Sequence, residues 1–239
     1  MSKNLSQVKA LTFDVFGTVV DWRSSIIEEL TSLGHSKGIT ADWESFADKW
    51  RGGYAPSMDQ VRKGKLPWTN IDELHRIVLD RLLNEFDITA LNEEEKVHLN
   101  KAWHRLKPWP DSVEGLSKLK QNYIIATLSN GNISLLANMA KHSGLPWDVI
   151  LSSELAKHYK TDKEVYMTAL SLLDLEPGEL MMCAAHQNDL LAAKALGLKT
   201  AYINRPLEFG PDKQNDATDD MPFDIIATDI IDLAGQLGK

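Results

Sequence analysis

Cysteine is almost absent from this chain: Cys183 is the only one in 239 residues. No internal disulfide can form, which fits a reducing compartment. Long apolar runs are absent too. None approaches the ~20 residues that a membrane-spanning helix needs, and Met1 to Lys9 lack the apolar stretch of a signal peptide. The expectation is a cytoplasmic protein with no membrane partner. Basic charge is in short supply. At a net charge of −8, the cationic face that nucleic acid requires is not expected. An acidic chain that binds a small anion must place a few Arg and Lys residues locally. Metal-ligand spacing is missing as well. The seven His form no His-x-x-x-His pair and there is no Cys-x-x-Cys. A Mg²⁺ site needs several carboxylates, and only Asp14 and Asp189 offer themselves. Gly-x-Gly-x-x-Gly, P-loop and Gly-x-Ser-x-Gly patterns are also lacking. No metal and no cofactor is expected.

What is present is an ordinary globular composition, 43% hydrophobic, in a chain long enough for a large core and one or two domains. Short apolar runs end in turn or polar residues at Ala10–Phe13, Tyr123–Leu128, Val149–Leu151, Leu180–Ala185, Thr200–Ile203 and Asp224–Ala227. Helical stretches lie between the later ones. Asp111–Gln121 follows Pro110, a good helix start. Asn132–His142 puts Ile133, Leu136 and Ala140 on one face and closes at Gly144. Lys163–Leu173 and Asp189–Leu196 continue the alternation. Strand alternating with helix predicts an α/β fold, a Rossmann-like parallel sheet covered on both faces. From about Asp21 to Lys107 the pattern is helical, clearest at Ile71–Phe86 and Glu93–Leu106. This block holds five of the seven Trp: Trp22, Trp43, Trp50, Trp68 and Trp103. It reads as an inserted helical cap, with residues 1–20 and 108–239 as the core and 21–107 as the cap. Most of its Trp residues are expected to be packing, with one or two walling a cleft. The acidic stretch Asp212–Asp220 reads as a solvated loop.

Three polar clusters fall at strand ends. Asp14 ends the first strand, Ser129-Asn130-Gly131 ends the second core strand, and His186-Gln187-Asn188-Asp189 follows the fourth. In open parallel sheets, ligands bind outside the carboxyl ends of the strands, so the three belong at one edge. Plainer readings stand beside these. Asp14 could cap the Gly17 loop, although an Asp directly after a buried run needs compensation. Ser129-Asn130-Gly131 could be a simple turn. Lys160 and Arg51 could be solvated, His186 a loop histidine, and Asp189 the N-cap of the next helix. Cys183 reads as packing.

The residues Phe13-Asp14-Val15-Phe16-Gly17-Thr18, Trp50-Arg51, Leu128-Ser129-Asn130-Gly131, Tyr159-Lys160 with Tyr166, Asp189 and Ile203-Asn204-Arg205 resemble the haloacid dehalogenase superfamily. More closely, they resemble its type II 2-haloacid dehalogenases. The likeness covers nearly the whole chain. Many members of the superfamily carry Asp-x-Asp-Gly-Thr, whose second Asp is the acid/base of phosphoryl transfer; here Phe16 stands in its place. Two departures stand out. Ala184-Ala185-His186 replaces a Ser-Ser-Asn stretch, and Lys160-Thr161 replaces Lys-Pro. The Ala-Ala-His arrangement and the Trp-rich cap are similar to a subgroup with members that cleave carbon–fluorine bonds.

The resemblance implies hydrolytic dehalogenation of short 2-haloalkanoic acids, fluoroacetate among them, to 2-hydroxy acids without a metal. Asp14 is then the nucleophile and forms an ester. Lys160 favours its ionised form, and Thr18 orients it. Tyr166 holds Lys160 or the ester. Asp189, with His186, activates or positions water. Arg51 and Asn130 meet the departing halide. Ser129 and the backbone N–H groups of Val15 and Phe16 receive the substrate carboxylate. Dimers are common in that family, so a homodimer is among the expectations. The runner-up is a Mg²⁺-dependent phosphatase of the same superfamily, disfavoured by Phe16. A non-catalytic binding module on the same fold is the third reading.

Overall fold

A computed structural model describes residues 5–212 and 222–238. Strand β1 (Ala10–Phe13) runs through a tight loop into β2 (Val20–Asp21). Five helices follow: α1 (Trp22–Lys37), α2 (Trp43–Gly52), α3 (Tyr54–Arg62), α4 (Ile71–Glu85) and α5 (Glu93–Asn100). The chain returns by β3 (Lys107–Pro108). It continues as α6 (Ser112–Leu119), β4 (Ile124–Ser129), α7 (Ile133–Ser143), β5 (Val149–Ser152), α8 (Ser153–Ala156) and α9 (Lys163–Leu173). The last elements are β6 (Leu180–Ala184), α10 (Gln187–Ala195), β7 (Lys199–Ile203), β8 (Ile225–Ala227) and α11 (Ile230–Leu237). The sequence places the sheet strands to within a residue or two. Of the acidic stretch Asp212–Asp220, all but Asp212 lies outside the described residues.

Six strands form one parallel sheet in the order β5-β4-β1-β6-β7-β8. β1 is central because every one of its residues is buried, and a strand covered on both faces must be apolar almost throughout. Its one polar side chain, Thr12, donates its hydroxyl to Met181 O at 3.3 Å. Alternation assigns the faces. Leu11 and Phe13 pack with α6, α7 and α11 through Leu116, Leu136 and Leu233. Ala10 packs on the other face, with α9 and α10 through Val165, Tyr166 and Leu190. The connections from β1 go to one side and those after β5 cross to the other. The switch point therefore lies at the carboxyl end of β1, where this fold opens a crevice.

β2 and β3 pair antiparallel, Val20 with Pro108 and Asp21 with Lys107. This ribbon is where the helical insertion leaves and returns. Its first helix is capped by Asp21, which accepts from Ser24 N–H. The expected single helix over Glu93–Leu106 is two pieces, because Lys101–His104 winds as a 3₁₀ turn. The tighter winding buries Trp103 and turns His104 toward Asp72 at 2.9 Å. Trp103 then stacks on Trp22 and His75 and meets Trp50 edge-on. Trp22, Trp50 and Trp103 are packing, as expected of most of the Trp residues. Among the described residues no Trp lines the cavity at Asp14.

Arg205, just past β7, holds the underside of the β1 loop. Its guanidinium donates to both oxygens of Asp111, at 2.8 and 2.7 Å, and through Nε to Thr18 O at 2.8 Å. Asp111 also accepts from Ile230 N–H at 2.9 Å. Both side chains are buried, and removing one partner of such a pair strands a charge at a cost of about 3–5 kcal/mol. Arg205→Met is therefore expected to lower unfolding stability by about that amount in a urea titration; an unchanged midpoint would contradict this role.

Candidate active site

Asp14 sits at the switch point, 7% exposed, and both its oxygens are taken. Oδ1 accepts from Lys160 Nζ at 2.9 Å. Oδ2 accepts from Thr18 Oγ1 at 3.1 Å and faces His186 Nδ1 at 2.9 Å. Thr18 is itself fixed, because its hydroxyl accepts from Ala185 N–H at 2.9 Å. Lys160 comes from the loop before α9. It is buried, and it reaches Asp189 Oδ2 at 2.5 Å as well. The reading of Lys160 as a solvated lysine is thereby excluded. Asp189 lies in the first turn of α10, whose N-cap position is His186, so Asp189 is not the cap. Its other oxygen accepts from Tyr166 Oη at 2.5 Å. Tyr166 therefore meets Lys160 only by way of Asp189.

Burial pushes the Asp14 carboxyl up, but the Lys160 ammonium and His186 more than reverse this and hold it well below the usual range. Lys160 moves the opposite way. Burial lowers it, and the charges of Asp14 and Asp189 carry it above the ordinary lysine value. Asp189 is raised, first by burial, with the Asp14 charge adding to it against Lys160. Of the two carboxylates, Asp14 is the firm anion and Asp189 the one with affinity for a proton.

A cavity of about 210 Å³ opens over this cluster, lined by Asp14, Phe16, Arg51, Asn130, Lys160, His186 and Asp189 among others. That is below the usual ~300–1,000 Å³ of ligand pockets, so the occupant is small. A larger hollow of about 1290 Å³ lies on the cap, between residues such as Arg23, Trp43 and Arg81. It contains none of the residues around Asp14, so the chemistry belongs to the smaller one. Asn130 is oriented by the backbone of the loop before α9: Oδ1 accepts from Lys160 N–H at 2.7 Å. Nδ2, the donor end, is thus left on the cavity side beside Met58. Arg51, from the end of α2, packs its guanidinium over the Tyr54 ring at 4.6 Å and over Trp22 at 5.8 Å. Its buried Nε has no hydrogen-bond partner among the described residues. Phe16 closes one wall, edge-on to Trp103.

Ser129, Val15, Thr18 and Tyr166 stand behind the cavity and do not line it. Ser129 is fully buried, and its hydroxyl accepts from Gly131 N–H at 3.3 Å. Cys183 is buried packing, its thiol pushed up by desolvation. Two ionisable residues at the site escaped the sequence reading. Tyr54, raised to about 12 by burial, lines the cavity three residues after Arg51. Glu208 meets His186 Nε2 at 3.0 Å from below. Its signal was a lone acid between Leu207 and Phe209 just past a strand end.

A family model for haloacid dehalogenase-like hydrolases matches residues 8–197. The chain belongs to that family. It is 30% identical to (S)-2-haloacid dehalogenase 4A of Burkholderia cepacia over 84% of this chain and 85% of that one. It is 28% identical to (S)-2-haloacid dehalogenase 1 of Pseudomonas sp. strain CBS-3, over 84% and 86%. Among solved structures it is similar to an L-2-haloacid dehalogenase, at 50% identity and TM-score 0.92 over 96% of this chain and 98% of that one. It is also similar to a defluorinating L-2-haloacid dehalogenase, at 48% identity and TM-score 0.92 over 96% and 95%. The inserted helices and parallel sheet are thus the cap and core of this family's fold. Among the described residues no helix is long and apolar enough to cross a membrane.

The pH dependence of this haloacid dehalogenase-like hydrolase is two-sided. Asp14 lies below its unfolded value, so its stabilisation is present above pH 3.8 and is lost as pH falls. His186 is pulled down by burial but lifted further by Asp14 and Glu208, to about 10 from 6.5. Its stabilisation is complete below pH 6.5 and is lost as pH rises through about 10. The stability gap between the protein and His186→Gln is expected to shrink across that upper window. A ring that titrates near pH 6.5 by nitrogen NMR would refute the assignment.

Proposed function

We propose that the protein hydrolyses short 2-haloalkanoic acids to 2-hydroxy acids through an ester on Asp14. The observation that carries this is Asp14 itself. It is a buried carboxylate kept ionised by Lys160, facing a small cavity that presents the Arg51 guanidinium and the Asn130 amide. The names of the relatives support the same reaction and the (S) enantiomer as substrate. In this reading residues 1–20 and 108–239 are the core, and 21–107 are the cap that brings Arg51.

Oδ1 of Asp14 carries one donor and Oδ2 two, so Oδ1 is the freer lone pair and the attacking atom. It bonds to the halogen-bearing carbon as the carbon–halogen bond breaks. Arg51 and Asn130 Nδ2 meet the halide. The N–H of Phe16, which lines the cavity, receives the substrate carboxylate, with Val15 and Ser129 behind it. Water then bonds to Asp14 Cγ. One water proton passes by way of Asp189 to the departing Oδ1 of the 2-hydroxy acid. The other goes to solvent as the Asp14 carboxylate is restored. A raised Asp189 suits this transfer better than an ordinary Asp does.

The phosphatase reading lacks its second acid, because the ring of Phe16 stands at that place in the cavity wall. The cavity size and the defluorinating relative support fluoroacetate as one substrate. Halide release from fluoroacetate, chloroacetate and both 2-chloropropionates, with a chelator present, is the test. We expect glycolate or lactate as product, the (S) enantiomer to be preferred, and Asp14→Asn to turn over at least 10³-fold more slowly, as loss of a nucleophile costs elsewhere. A fully active Asp14→Asn would sink the mechanism.

A further inference from the structure

Glu208 has no part in the reaction as written, yet it is 2% exposed and lies directly beneath the site. Its Oε1 accepts from the Trp22 indole N–H at 3.2 Å and faces His186 Nε2 at 3.0 Å. The other ring nitrogen of His186 faces Asp14 Oδ2 at 2.9 Å. An imidazole with both nitrogens on carboxylate oxygens must donate from both. The backbone is shaped around this carboxylate. Gly17 has φ +83°, and a Cβ there would lie 2.1 Å from Glu208 Oε1. The β1 loop can thus accommodate the Glu208 carboxylate beneath Asp14 only because position 17 has no side chain.

We infer that Glu208 is a positioning residue for ester hydrolysis: with the Trp22 N–H it holds His186 as a double donor whose Nδ1–H, with the Thr18 hydroxyl, receives the charge on Asp14 Oδ2. This rests on the ester reaction proposed above. When water bonds to Asp14 Cγ, the carbonyl electron pair moves to Oδ2. On collapse it returns as the Cγ–Oδ1 bond breaks. Donors already 2.9 and 3.1 Å from that oxygen need no reorganisation, which is what makes such a site effective. The alkylation step makes a smaller demand, because Oδ2 loses charge in it. Glu208 therefore acts on the second half-reaction. The charged groups around His186 are Asp14 from the β1 loop and Glu208 from the segment after β7. Lys160, Asp189 and Arg51 line the same cavity.

The test separates the half-reactions. Wild type and Glu208→Gln are mixed with excess chloroacetate, and chloride release and intact protein mass are followed together. The variant is expected to release one chloride per site at the wild-type rate and then to turn over about 10- to 100-fold more slowly. The Asp14 ester should accumulate, and the alkaline limb of turnover should move to lower pH. Turnover at the wild-type rate overturns the inference. So does a chloride burst slowed in proportion to turnover with no ester, which is the mark of a merely structural role. Should Glu208→Gln not fold, Trp22→Phe carries the test. It keeps an aromatic ring next to Arg51 and Trp103 while removing the N–H, and is expected to slow ester hydrolysis several-fold more than the chloride burst; an unchanged hydrolysis rate overturns the inference. Wild-type protein that releases no halide removes the reaction and the inference with it. An active wild type with an unaffected variant removes the inference alone.

Discussion

One ammonium group organises this site. Lys160 Nζ lies between Asp14 and Asp189, at 2.9 and 2.5 Å, with all three side chains buried. Two carboxylates this close and this dry cannot both be charged without a cation between them. The contact joins residues 146 and 29 positions apart, so it exists only once the sheet is assembled. The strand order supplies that assembly. β1 sits at the switch point with β6 on one side and β4 on the other. The loop before α9 and the first turn of α10 then meet above its end.

The cap is constrained by the same charge balance. Arg51 brings a cation whose buried Nε has no hydrogen-bond partner among the described residues. It rests on the faces of Tyr54 and Trp22, which stabilise a cation without quenching its donors. A guanidinium held by aromatic faces keeps its hydrogen-bonding capacity for an anion that arrives from solvent. The stacked Trp22 and Trp103, backed by Trp50, thus form the dry floor that leaves Arg51 available. Their packing role and the site's chemistry are one arrangement.

Much of this was legible in the sequence. Buried strands such as Ala10–Phe13 are short apolar runs, and Asp14, Ser129 and His186 mark their carboxyl ends, so the edge could be read from pattern alone. Lys163–Leu173 was readable to the residue, because its period and its ends agree. Other features were not legible, because they depend on tertiary contacts. The 3₁₀ turn at Lys101–His104 follows from the pull of Trp103 into the aromatic stack and of His104 onto Asp72, and neither partner is local. Tyr166 is expected from the resemblance to hold Lys160 or the ester; position on a helix gives a face, not a partner, and the hydroxyl falls on Asp189. Glu208 was invisible because an acid after a strand end usually faces water. Only the folded chain brings it under His186.

The Ala184-Ala185-His186 sequence is therefore not a local exchange of side chains. An imidazole at that strand end, set against Asp14, becomes an imidazolium that needs a second acceptor. Glu208 supplies the acceptor, Trp22 fixes it, and Gly17 makes the space. Three separate segments, residues 14–22, His186 and Glu208, are thus tied together at one ring. The result is an uneven environment for the two oxygens of Asp14. Oδ2 is met by Thr18 and His186, while Oδ1 meets Lys160 alone. A carboxylate that must first attack and later be attacked gains from that asymmetry. One oxygen stays free enough to form a bond, and the other is surrounded by donors before any charge has moved onto it.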